Sequence, residues 1–157
     1  MRRLLILRHA SAAAQGEAPG DRERPLSARG RREAERLKAW FEANAPAVDA
    51  VICSPSRRTV ETWEALAGAL PDVEIRFAER LYLGTPDDYL EEAGLEDAAS
   101  VMIVGHNPTC ASIAAAITPT DHHDGRFAPA TLCIANRRDD GWMTERIVRP
   151  ADLSDER

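Results

Sequence analysis

A chain of 157 residues, 44% apolar and 29% charged, fits one ordinary folded domain and is too hydrophobic to stay disordered. Its formal net charge of -6 excludes the broad basic surface that a nucleic-acid partner calls for, yet a small phosphorylated ligand remains possible wherever local charge opposes the total. No apolar run approaches the ~20 residues of a membrane span, and the run after Met1-Arg2-Arg3 is too short for a signal peptide, so a cytoplasmic protein with no membrane partner is expected.

Arg3 to Leu7 is a short apolar run that predicts a buried first strand ending at Arg8-His9. The stretch from Ala10 to Pro25 reads as a long loop, and long loops within compact domains tend to be functional. From Ser27, a plausible N-cap, Ala34, Leu37, Phe41 and Ala45 recur at helical spacing, with Pro46 just beyond. Val48 to Cys53 predicts a second strand. Ser54-Pro55 then predicts a cap with proline at the first helical position, opening a helix with Val60, Trp63, Ala67 and Leu70 on its apolar face.

A short strand near Val73 to Phe77 is followed by a turn at Gly84-Thr85-Pro86 and a helix from Asp87 to Ala93. Val101 to Val104 is the next buried strand. Asn107-Pro108 repeats the cap-plus-proline device before a helix carrying Cys110, Ile113, Ala114 and Ile117. Thr131 to Asn136 and Trp142 to Val148 flank Asp139-Asp140-Gly141, which predicts a hairpin. Cys53, Cys110 and Cys133 form no C-x-x-C pair and sit in apolar stretches, so they are expected to be reduced core residues.

Strands alternating with helices predict an α/β fold: a three-layer sandwich with a mainly parallel central sheet, helices on both faces, and a C-terminal antiparallel hairpin. With no repeat, low-complexity tract or linker, residues 1–150 are expected to form one domain and 151–157 a loose tail. In such sheets ligands bind beyond the carboxyl ends of the strands. Arg8-His9, Ser54-Pro55 with Arg58, and Gly105-His106-Asn107 all belong at that edge.

Two histidines ending separate strands, with two arginines near the same edge, suit phosphoryl transfer. The transferring group spreads negative charge over its equatorial oxygens, and catalysis consists largely of positioning plus positive charge. Arg8 and Arg58 supply planar forks for those oxygens, and the helix starts at Pro55 and Pro108 are expected to add free N–H groups. A neutral His9 can attack phosphorus.

Four segments resemble the histidine phosphatase superfamily, formerly grouped with phosphoglycerate mutases, and within it the small SixA-like phosphohistidine phosphatases. They are Leu7-Arg8-His9-Ala10, Arg24-Pro25-Leu26-Ser27-Ala28-Arg29-Gly30, Ser54-Pro55-Ser56-Arg57-Arg58-Thr59-Val60-Glu61-Thr62 and Val104-Gly105-His106-Asn107-Pro108. They stand in the family's order. The resemblance implies that His9 becomes phosphorylated, that Arg8, Arg58 and His106 form the phosphate pocket, and that Arg24 is a loop arginine added to it; Asn107 completes the substrate-binding set. The matching motif selects Arg58 and leaves Arg57 a solvated helix charge.

Glu79 falls where larger members place a proton donor to the leaving group, a role that suits a partly buried carboxyl of raised pKa. The mutases' insertion over the site has no room between Leu70 and Glu79, so an open mouth is expected, suited to a phosphate carried on a protein. The resemblance implies no cofactor and no metal. Asp121-His122-His123-Asp124 offers metal-ligand chemistry, but adjacent side chains on a loop rarely converge on one ion. The reading is a phosphatase working through a phosphohistidine on His9, with a phosphorylated protein as leading partner. A small-ester phosphatase or mutase and a non-catalytic phosphate-binding module are the alternatives.

Overall fold

The computed structural model describes residues 1–118 and 127–153. Six strands, β1 (Arg3–Arg8), β2 (Ala50–Cys53), β3 (Glu74–Phe77), β4 (Ser100–Gly105), β5 (Leu132–Arg138) and β6 (Gly141–Val148), form one sheet in the order β3-β2-β4-β1-β5-β6. The first four run parallel, and β5 and β6 are antiparallel additions at one side. Four helices connect them: α1 (Ala28–Asn44), α2 (Arg57–Ala67), α3 (Pro86–Gly94) and α4 (Thr109–Ile117).

Side chains alternate across a strand, and the two cores show the alternation directly. Leu4, Ile6, Val101 and Ile103 pack with Tyr89 of α3 and Cys110 and Ile113 of α4. Leu5, Leu7, Met102 and Val104 pack on the opposite face with Leu37 and Phe41 of α1 and Trp63 and Leu66 of α2. The near-continuous apolar runs of β1 and β4 follow from burial on both faces. All three cysteines are buried and free, and burial pushes the Cys53 thiol up to about 12.

Register decides where the chemistry sits. Arg8 pairs with Gly105 and Cys53 with Val104, so the residues that follow, His9, His106 and Ser54, emerge side by side at one edge.

Several boundaries differ from the sequence expectation. Helix α2 begins at Arg57, capped at Ser56 rather than Ser54, because Thr59 Oγ1 donates within the preceding turn, to the carbonyls of Ser54 (2.6 Å) and Ser56 (2.8 Å). Its buried face carries Arg58, Thr59, Thr62, Trp63 and Leu66; Val60 and Ala67 are only half-buried. An apolar template missed that face because it is partly polar. Ala45 is not a core position but an exposed left-handed cap, φ 40°, that ends α1. Helix α4 begins at Thr109, one residue past Pro108, although Asn107 still caps it: its Oδ1 accepts from Ala111 N–H at 3.2 Å. At the chain's end, Pro150–Asp152 forms a 3-10 turn against α1 and Leu153 packs on the α1 side of the core. Of the segment expected to be loose, only residues 154–157 lie outside the described residues.

Candidate active site

The strand ends open into a cleft of about 430 Å³ lined by Arg8, His9, Arg24, Arg58, His106 and Asn107, with Asp21 and Tyr82 joining them. Six of the seven residues singled out from the sequence meet there. Glu79 is not among the lining residues.

His9 is 8% exposed, and its Nδ1 lies 2.7 Å from the Ala10 carbonyl oxygen. A carbonyl only accepts, so Nδ1 carries the proton and Nε2 keeps its lone pair. The same segment is pinned by Ala10 N–H donating to Thr62 Oγ1 at 3.0 Å, tying the strand end to α2. Burial first, then the nearby guanidinium groups of Arg58, Arg8 and Arg24, hold His9 down to about 4.

His106 lies beside it, ring centroids 5.4 Å apart and planes tilted by 59°. Its Nε2 lies 2.7 Å from Ser54 Oγ and its Nδ1 3.4 Å from Arg58 Nη2. A guanidinium only donates, so Nδ1 is the unprotonated nitrogen and Nε2–H donates to Ser54. Burial, with His9 and Arg58 as neighbours, pushes His106 down to about 3. In the substrate-free cleft both rings are therefore neutral at neutral pH. The glycine before His106 has a steric reason, since a Cβ on Gly105 would stand 2.5 Å from the Tyr89 ring. That closeness lets Tyr89 Oη accept from His106 N–H at 3.0 Å while donating to the Leu81 carbonyl at 2.8 Å.

The positive charge comes from arginines. Arg58, 6% exposed, donates to the Asp21 carbonyl (2.8 Å) and to Asp21 Oδ2 (3.1 Å). Arg8 donates to the Phe127 carbonyl at 2.8 Å, which Asn107 Nδ2 shares at 2.9 Å. Arg24 holds Asp21 Oδ1 at 3.0 Å and the Ala13 carbonyl at 2.9 Å. The Nε groups of Arg8 and Arg58 are buried without a hydrogen-bond partner, and an oxyanion in the cleft would relieve such orphaned donors. The cleft also contains a carboxylate of its own. Asp21 accepts from Tyr82 Oη at 2.5 Å, and this bond, with the arginines, holds it down to about 2.

A second layer explains the motif around α1. A Cβ on Gly30 would stand 1.9 Å from the Ser11 carbonyl oxygen, so only glycine lets the helix dock there. Buried Glu33 accepts from Ser11 N–H (2.8 Å) and Ser11 Oγ (2.9 Å), and Glu61 accepts from Leu26 N–H (2.7 Å). Arg57 is exposed and paired with Glu61, as expected of a solvated helix charge.

One expectation is corrected. Glu79 is 71% exposed on its side chain, pairs with Arg22 at 2.5 Å, and is held below the usual carboxylate range by that bond rather than raised by burial. Glu79→Gln is therefore expected to change kcat/KM by less than about threefold on every ester, as for an exposed ion pair; a loss that deepens as the leaving group worsens would restore the acid role. Each of the two helix starts has one backbone N–H already engaged. Arg57 N–H donates to the Arg22 carbonyl, and Cys110 N–H to the His106 carbonyl. Among the described residues no group of three or more His, Cys, Asp or Glu is arranged to hold a metal, and Asp121 to Asp124 lie outside the described residues. No described helix is long and apolar enough to cross a membrane.

A mainly parallel α/β sheet whose strand ends bring two neutral histidines among three guanidinium groups defines a hydrolase acting on phosphate. A profile of the histidine phosphatase superfamily (branch 1) matches residues 4–82. An uncharacterized protein of Mycobacterium tuberculosis, Rv1276c, is 40% identical over 120 residues, 73% of each chain. The phosphohistidine phosphatase SixA of Escherichia coli is 26% identical over 121 residues, 74% of each chain. In three dimensions a SixA-type chain from Agrobacterium tumefaciens superposes with a TM-score of 0.87 at 26% identity, covering 95% of this chain and 98% of that one. The chain belongs to the histidine phosphatase superfamily and is SixA-like in fold.

Proposed function

We propose that the protein hydrolyses phosphohistidine on a phosphorylated protein, passing the phosphoryl group through a covalent phosphohistidine on His9, with residues 1–150 acting as one catalytic domain. The observation that carries this reading is the His9 tautomer. The Ala10 carbonyl occupies Nδ1–H, so the Nε2 lone pair is the one available to attack phosphorus. In the first step the Nε2–P bond forms and the bond from phosphorus to the leaving nitrogen breaks, its electron pair returning to a substrate ring that already carries a proton on its other nitrogen and so departs as neutral imidazole. In the second, water attacks phosphorus, His9 is released and phosphate departs. Arg8, Arg24 and Arg58 offset charge on the phosphoryl oxygens, and Asn107 helps hold Arg8 by sharing its acceptor. A phosphate dianion in the cleft favours protonation of His106, whose Nδ1 then donates instead of accepting.

Glu79 bears on the substrate class. Exposed and ion-paired, that carboxylate is not a raised-pKa acid for a poor alkoxide leaving group. An imidazole protonated on its other ring nitrogen leaves as a neutral ring without one. Small aryl phosphates share this advantage, and they serve here as the general probe.

The decisive experiment is a rapid acid-free quench of the enzyme with a radiolabelled phosphohistidine peptide. The expected result is label on His9, stable in alkali and lost in acid, formed and discharged at the turnover rate. Label absent during steady turnover, or faster discharge from alkyl esters than from phosphohistidine, would sink the reading in favour of direct hydrolysis or a small-ester substrate. The acid limb of kcat/KM is a second check. A base held down to about 4 in the free enzyme loses its lone pair only below that pH, so, corrected for substrate ionisation, the limb is expected near pH 4 and not near 6.5. A limb near 6.5 would contradict the buried, arginine-flanked setting of His9.

A further inference from the structure

Leu83 is a large apolar side chain left 88% exposed, and it borders the catalytic cleft itself. Single leucines in water are ordinary. This one differs in how its backbone is held. It stands on the turn between the 3-10 helix Glu79–Leu81 and α3, and both flanks of that turn are tied down. Leu81 is fully buried, and its carbonyl accepts from Tyr89 Oη at 2.8 Å. The Gly84 carbonyl accepts from Thr109 Oγ1 at 2.7 Å, and a Cβ on Gly84 would stand 2.2 Å from the Arg80 carbonyl oxygen. Thr85 then caps α3 through reciprocal bonds with Asp88. Because Tyr89 Oη also accepts from His106 N–H, one buried ring fixes the Leu83 turn and the histidine to each other. An apolar side chain on a backbone set so firmly beside the reacting centre is a preorganised contact, since little ordering remains to oppose whatever covers it.

The distribution of charge around the cleft decides which part of a substrate meets Leu83. Arg8, Asp21, Arg24 and Arg58 are the charged side chains that line it. Tyr82, Leu83, His106 and Asn107 line it as well, and these four also border a depression of about 360 Å³. Among the described residues no Asp, Glu, Lys or Arg lines that depression, whereas Pro86 and Pro108 do. A phosphoryl group is drawn to the guanidinium groups, which leaves the uncharged side of the cleft for whatever carries the phosphate. An exposed leucine there gains most from a second apolar surface. We infer that Leu83 is a specificity-determining residue, packing against an aliphatic side chain next to the phosphorylated residue of a protein substrate. The inference rests on the protein-borne phosphate proposed above.

The test uses phosphohistidine peptides of one sequence, with either Leu or Gln on both sides of the phosphorylated residue. Wild type is expected to favour the Leu peptide about tenfold in kcat/KM, through KM, as for covering most of one leucine. The preference should hold at about 0.5 M sodium chloride, which screens charge and not apolar contact. Leu83→Gln keeps the reach of the side chain and removes its apolar end, and at an exposed position the fold should stand, as a thermal melt checks. In that variant the Leu-to-Gln ratio should fall to within about twofold of unity, while Leu83→Met keeps most of the preference. A general defect in the site would slow both peptides together and leave their ratio unchanged, so the ratio reads the contact alone. Equal rates on the two peptides with wild type, or a preference that survives Leu83→Gln, overturns the inference. A pair of small esters, p-tolyl phosphate and p-butylphenyl phosphate, separates it from the reading on which it rests. If both peptides are inert while wild type prefers the butyl ester and Leu83→Gln does not, the protein-borne phosphate falls and the apolar contact at Leu83 stands. If the two esters are then also treated alike, both fall.

Discussion

His9→Ala is expected to lower kcat by about 10⁴-fold or more, to the level of water attack in a prepared anion pocket. The fold should survive. The imidazole is hydrogen-bonded to the adjacent Ala10 carbonyl and faces the cleft rather than either apolar core, so water fills the space it leaves. A loss of about 1 kcal/mol, comparable to one ordinary hydrogen bond, is the expected cost. The nearby serine hydroxyls are already engaged. Ser11 Oγ donates to Glu33, and Ser54 Oγ, fully buried, is bonded to His106. Rates on an aryl phosphate, beside a thermal melt, check both halves. A variant that keeps more than about a hundredth of the wild-type rate, well above what loss of a nucleophile permits, would mean another group attacks phosphorus.

How far the site could be read in the sequence depends on how local its signals are. Arg8-His9 and Gly105-His106 follow apolar runs, and strands that end in polar residues at one sheet edge leave little choice about where those residues meet. Arg58 was recoverable from its motif. Asp21 and Tyr82 were not, because their bond joins residues 61 apart, and each alone looks like ordinary loop polarity. The available hint was position: Asp21 stands three residues before Arg24 in a long charged loop. Ser54 was visible but misassigned. Before a proline it resembles a helix cap, while in the fold its hydroxyl is bonded to His106 and Thr59 Oγ1 donates to its carbonyl. Glu79 erred the other way: a carboxylate's pKa is set by its neighbours, and Arg22, 57 residues away in sequence, could not be matched to it by pattern.

Arg58→Ala is expected to cost about 10³-fold in kcat/KM, more than a single hydrogen bond to a developing oxyanion, because three effects act in one direction. The first is loss of a buried guanidinium from the phosphate pocket, where low dielectric strengthens its field. The second concerns Asp21. Arg58 holds both its carbonyl and its Oδ2, and without that cation the carboxylate in the cleft is offset only by Arg24 and Tyr82, leaving more of its negative charge facing the incoming phosphate. The third reaches the histidines. Arg58 is among the groups that lower both His9 and His106, so its removal must raise both. The acid limb of kcat/KM should then move up from its wild-type position toward neutrality, a shift that a merely structural role would not produce. Arg58→Lys keeps the charge and should hold the limb nearer its wild-type place, yet a single ammonium cannot reproduce the fork onto Asp21, so its rate should fall between the two. Adding Asp21→Asn to Arg58→Ala should recover part of the loss by removing the stranded carboxylate. A rate for Arg58→Ala within about tenfold of wild type, with an unmoved acid limb, would show that Arg8 and Arg24 suffice and that Arg58 serves mainly to hold the Asp21 loop.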